Sequence, residues 1–159
     1  MKFITIVLKT FFAHIIIYVT TLAMLYVFSF FNVSKCIFLF YFVCILFLYL
    51  FSGYLIANHL EINWYDYFGI AIVGIVIWGI AITLSPDSLN YKRVDSAGVW
   101  LFYRIYISGI EIPLNFIEID KTLPIKSKKY FDLILPFIAS TMQYFGALLK
   151  FWSIRPTCP

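Results

Sequence analysis

Arg104, Ser108, Glu111 and Asn115 fall at i, i+4, i+7 and i+11 inside an otherwise apolar run, with Glu118 just beyond it. That spacing puts all of them on one helical face. Ionisable side chains within a membrane segment mark ligand, ion or proton sites, or the ion pairs that fix helix packing. Two turns separate Arg104 from Glu111, more than the i,i+4 spacing at which helical neighbours pair. The sequence therefore predicts a shared polar face and no ordinary contact between the two. A second set is Thr10, His14, Tyr18 and Thr21, at i, i+4, i+8 and i+11. His14 is the one histidine within an apolar run. An imidazole can titrate near neutral pH, which makes His14 and Tyr18 candidate partners for Arg104 and Glu111. The plainer expectation for His14 is a packed hydrogen bond between helices.

Other chemistries find no support. Cys36, Cys44 and Cys158 show no CxxC or Cys/His spacing, so neither a metal nor a cofactor is expected. Cys36 and Cys44 are about 12 Å apart along one helix at 1.5 Å per residue, too far for a disulfide. Zinc-protease, nucleophile-elbow and phosphate-loop motifs are missing, and so is a paired-aspartate motif for head-group transfer. An enzyme is not expected. The halves of the chain show no internal repeat of the kind common in solute carriers.

The elements that must hold these residues are apolar. Of 159 residues, 63% are hydrophobic and 13% charged. Average proteins carry about 25% charged residues, so a water-facing surface cannot be built from this composition. The mean hydropathy of +0.93 agrees. The fold class expected is an all-α polytopic membrane bundle of four or five transmembrane helices, forming one domain. Spans are predicted at 11–31, 36–57, 67–84 and 130–152, each about long enough to cross. The first is longer than a signal-peptide core and has no small-residue cleavage site after it. It is expected to remain as a helix behind a short tail. Trp64, Tyr65 and Tyr67 suit an interfacial aromatic belt. On the third span, Ala71, Gly74, Trp78 and Ala81 share a stripe, and small residues there let another backbone approach closely. Pro136 is expected to kink the last span.

The run 99–117 decides the topology. A central Arg costs about 2.5–3.5 kcal/mol on insertion scales, and each Ile, Leu, Phe or Val returns about 0.3–0.6. The run's apolar residues offset one charge and not two. It is either a polar-seamed fifth span or a half-inserted helix. With four spans, one face carries Lys35, Lys92, Arg93, Arg104, Lys121, Lys126, Lys128 and Lys129, and the other Lys2, Lys9, Lys150 and Arg155. The cytoplasmic face should hold the more positive set, which places the N-terminus outside. With five spans the two faces nearly balance.

The formal charge of +4 has no basic face to go with it, so nucleic acid is not an expected partner. The expected partners are the lipid bilayer and another membrane protein, or a second copy of the chain. The expected role is non-enzymatic helix–helix contact through the small-residue stripe and the polar seam. The size and plan suit a subunit of a larger complex or a small bacterial inner-membrane immunity or exclusion protein that blocks a toxin, a plasmid or a phage; no motif specifies either. The alternative is a small transporter or ion-coupled protein using Arg104, Glu111 and His14.

Overall fold

A computed structural model describes residues 2–31, 34–57, 62–84, 94–116 and 125–154. Among them the chain is all-helical: α1 (Lys2–Phe28), α2 (Lys35–Ile56), α3 (Gly69–Leu84), α4 (Val94–Phe116) and α5 (Ile125–Ile154), with a 3-10 turn at Trp64–Tyr67 before α3. Phe3–Phe28, Lys35–Ile56 and Phe131–Ser153 are long and apolar enough to cross a membrane, and α3 is a shorter apolar helix. The protein is a membrane-embedded helical bundle. α1 starts at Lys2, not near Phe11, because nothing in the stretch before Phe11 breaks a helix. α5 likewise starts earlier than the predicted span, at Ile125, and includes Pro136.

The pairings between helices fix their directions. His14 of α1 meets Tyr49 of α2, while Phe28 meets Phe38 and Tyr41, so α1 and α2 are antiparallel. Phe3 packs on Tyr65 and Gly69 on Val7, so α3 starts at the end where α1 starts. Tyr67 meets Tyr144, Ala71 meets Ser140 and Gly74 meets Pro136, so α3 and α5 are antiparallel. Ser52 meets Gln143 and Ala57 meets Lys150, so α2 and α5 are parallel. α3 therefore ends, and α5 begins, on the same face of the bundle. α4 lies between them in sequence, and its midpoint Tyr106 contacts His14, the middle of α1. The linkers 85–93 and 117–124 lie outside the described residues.

α5 is the organising helix. Gly53 of α2 and Gly146 of α5 let two backbones touch. A Cβ on Gly53 would fall on the carbonyl of Gln143, and one on Gly146 would fall on that of Leu50. In a bilayer such close packing drives association, because lipid tails are as apolar as the side chains. α5 also satisfies helix ends that would otherwise be orphaned. The Lys150 ammonium donates to the Ala57 carbonyl at the end of α2 (2.8 Å) and lies 5.7 Å from the centre of the Tyr54 ring. The Ala71 amide, in the first turn of α3, donates to Ser140 Oγ (3.1 Å). Placing a cation at a helix C-terminus also suits the helix dipole.

The small-residue stripe of α3 faces inward. Ala71 and Ala81 are fully buried, and Gly74 receives the Pro136 ring and the edge of Tyr106. Trp64 and Tyr65 are exposed as expected of an aromatic belt. Tyr67 is not, because the 3-10 turn rotates it onto Ala57 and Ala147.

The same turn buries Asp66, and burial raises its carboxyl pKa by penalising the charged form. A raised carboxyl means that the folded state holds its proton more tightly. Stability is then greatest below the unfolded value of about 3.9 and declines as pH rises through the folded one. Asp66→Asn should remove this decline. Thermal melts of wild type and variant across acidic and neutral pH would check it, and parallel pH profiles would show that Asp66 is not the source.

Candidate functional site

On α1 the buried stripe is Thr10, His14, Ile17 and Thr21. At 100° per residue Tyr18 falls to the margin, half-buried, with its backbone against Gly109 of α4. His14 is bonded to other residues than Tyr18. Its Nδ1 lies 2.7 Å from the Tyr49 hydroxyl and its Nε2 lies 3.2 Å from the Tyr106 carbonyl. A carbonyl only accepts, so Nε2 carries the hydrogen. Nδ1 must then accept from the Tyr49 O–H. Both ring nitrogens are used by one neutral tautomer, and three helices are tied through one side chain. The rings of Tyr49 and Tyr106 flank the imidazole at centroid distances of 5.9 and 4.9 Å. The Tyr106 hydroxyl goes on to the Ile70 carbonyl of α3 (2.6 Å).

One layer along, Gln143 of α5 links α1 and α2. Its Nε2 donates to the Thr10 carbonyl (3.3 Å) and to Ser52 Oγ (3.1 Å). Ser52 in turn donates to the Tyr49 carbonyl (2.8 Å). The Gln143 side-chain oxygen is buried without a hydrogen-bond partner.

The seam of α4 is closer-knit than its spacing predicts. Arg104 Nη2 lies 3.5 Å from Glu111 Oε1, although two turns separate them. The i,i+4 limit holds for side chains of ordinary length. A helical Glu side chain leans toward the N-terminus, and the long Arg side chain can reach the rest of the way. Glu111 is buried and Arg104 is about a third exposed. Ser108 shares the face but turns its hydroxyl onto the Ile105 carbonyl of its own helix (2.8 Å). The side chain of Asn115, and Glu118, lie outside the described residues. The backbone of Tyr106 stands in the network around His14, and the side chains of Arg104 and Glu111 form a pair two turns long on α4.

The polar residues Ser140 and Gln143 are legible from the sequence as a polar patch on the last span; buried Tyr49 and Asp132 and half-buried Tyr106 belong to no motif. The signal for them was present. Asp132, Ser140 and Gln143 fall on one stripe of α5, as do Tyr41, Tyr49 and Gly53 on α2, and all are buried. Tyr103 donates to the Asp132 carbonyl (2.9 Å), closing α4 onto α5. Among the described residues no group of three or more His, Cys, Asp or Glu side chains could hold a metal ion. The arrangement defines a helical membrane protein with an interhelical polar network and an ion pair, Arg104–Glu111, on α4. Comparison with protein-family models, with curated proteins and with solved structures finds no match to the chain.

Removing the imidazole tests what the network is worth. Hydrogen bonds between membrane helices average about 0.6 kcal/mol and reach about 1.7. His14→Leu deletes two, so it should destabilise the bundle by about 1–3 kcal/mol. Tyr49→Phe, which deletes one, should cost less. Unfolding of the purified protein in mild detergent would measure both. A His14→Leu variant as stable as wild type would mean the network does not hold the helices together.

Proposed function

We propose that this is a non-enzymatic integral membrane protein that acts by helix–helix contact with a membrane partner, another protein or a second copy of the chain. The partner meets the outward edge of α4. The observation that carries this reading is the setting of Arg104: it is about a third exposed, on a helix whose outward side is otherwise Leu101, Phe102 and Ile105. A charge facing lipid is costly, and a partner that covers the edge removes that cost. The stripe Ala71, Gly74 and Ala81 is already occupied within the chain, which shifts the contact surface from α3 to α4. The chain is further proposed to cross four times with both termini outside, in a bacterial cytoplasmic membrane, as an immunity or exclusion protein directed at a toxin, a plasmid or a phage.

A photo-reactive phenylalanine at Phe102 provides the test. It should form one defined adduct in membranes of the native host, and Arg104→Ala should weaken the adduct and the protective activity together. The Arg104–Glu111 pair, with one member buried, also favours a second reading, a small transporter or ion-coupled protein. If Arg104→Ala and Glu111→Ala abolish activity while the adduct forms undiminished, that second reading replaces the first.

A further inference from the structure

α1 and α2 form a hairpin whose outer side is open. Over their membrane-crossing stretches only 17% of α1 and 28% of α2 is buried, against 44% of α5. Between the two helices runs a groove of about 400 Å³, within the size range of small-molecule sites. Its walls are Phe12, Ile16, Leu48, Phe51 and Leu55, with Lys9 and Ser52 as the polar groups. Ser52 has given its one hydroxyl hydrogen to the Tyr49 carbonyl and accepts from Gln143, so it has no donor left for an anion. Lys9 is therefore the polar group left to act on a ligand. It is exposed, and no hydrogen bond or ion pair joins it to the described residues. The neighbouring cation at the same end, Lys150, is by contrast bound to the end of α2.

The position of Lys9 suits a head group. It sits beside the last turn of α2, at the end of the bundle where Trp64, Tyr65 and Trp152 are exposed. Aromatic residues collect at the head-group level, and a lysine about two turns inside the start of α1 reaches that level by extending its stem along the apolar wall.

We infer that the α1–α2 groove binds one anionic phospholipid, its phosphate on Lys9 and one acyl chain along the apolar walls. An acyl chain that enters the groove only exchanges one hydrocarbon surface for another. Discrimination between lipids must then come from the charge on Lys9, and it should be modest. A single lysine near an anionic surface supplies about a fivefold preference.

Native mass spectrometry of the full-length protein in mild detergent tests this directly, using dimyristoyl phosphatidylglycerol against dimyristoyl phosphatidylcholine. Wild type should retain one phosphatidylglycerol about fivefold over phosphatidylcholine. Lys9→Gln should remove the preference while leaving the fold intact, and Lys2→Gln should keep it. Ala13→Phe, which fills the groove, should reduce retention of both lipids. Equal retention of the two lipids by wild type overturns the inference, and so does an undiminished preference in Lys9→Gln. A photo-reactive residue at Ile16 that traps a protein and no lipid assigns the groove to a partner helix and also overturns it.

Discussion

Gly146→Ala should abolish the folded bundle. The methyl group would land on the main chain of α2, at the Leu50 carbonyl and the Tyr54 amide. Ordinary overpacking costs about 1–3 kcal/mol because side chains can move aside. Here the obstacle is backbone on both sides of the contact, so the helices must separate. Separation breaks the bonds that depend on the same register: Gln143 to Ser52 and Thr10, and Lys150 to Ala57. The loss should therefore exceed the overpacking range. Gly53→Ala meets the Gln143 carbonyl in the same way and should behave alike. Gly79→Ala is the internal control. A Cβ there meets nothing within 4 Å, and alanine is the better helix former by up to about 1 kcal/mol, so Gly79→Ala should be neutral or slightly stabilising. Size-exclusion profiles and thermal unfolding in detergent separate these outcomes. A Gly146→Ala protein that runs as a single peak and melts with wild type would show that α2 and α5 do not touch as described.

The helices and the membrane were legible in the sequence because both rest on local quantities, run length and charge. The polar stripe of α1 was legible for the same reason, down to Thr10, His14 and Thr21. What could not be read was the identity of the partners. His14 pairs with Tyr49 and the Tyr106 carbonyl, residues 35 and 92 positions away, and spacing along a chain carries no information about which helix lies opposite. Tyr18 differs for another reason: i+4 spacing from His14 alone puts it on the face, but at 100° per residue the whole set Thr10, His14 and Thr21 centres nearer Ile17, and Tyr18 lies at the margin with its backbone against Gly109. Arg104 and Glu111 show the limit of a spacing rule built on average side chains. Gly53 stands four residues before Ala57, a weak small-xxx-small signal, and Gly146 has no such partner. Their role arises only when the two backbones meet.

Residues 90 and 127 should prove to lie on the same side of the membrane, opposite Trp64. The direction of α5 carries this expectation. Tyr67, Ala71 and Gly74 ascend α3 as Tyr144, Ser140 and Pro136 descend α5, and Lys150 comes to rest at the end of α2. Whatever path the chain takes from Leu84 to Ile125, it should make no net crossing, so that α4 would add a helix without adding a side. That removes the near balance of charge that five crossings would give. Apart from Arg104, which lies within α4, Lys35 and the other six Lys and Arg residues between 85 and 130 should then share one face, against Lys2, Lys9, Lys150 and Arg155 on the other. The more positive face belongs in the cytoplasm, so both termini should be outside. The marginal insertion energy of 99–117 then has a physical meaning. Its apolar residues offset only one of its two charges, so α4 is held at depth by Trp100, Tyr103, Ile107 and Ile110 packed in the core. Asn90→Cys and Ser127→Cys, each in a background with Cys36, Cys44 and Cys158 changed to Ser, should react with a membrane-impermeant maleimide only after the cell is opened. Trp64→Cys in the same background should react in intact cells. Labelling of Asn90→Cys and Ser127→Cys from opposite sides would establish five crossings and reverse the direction assigned to α5.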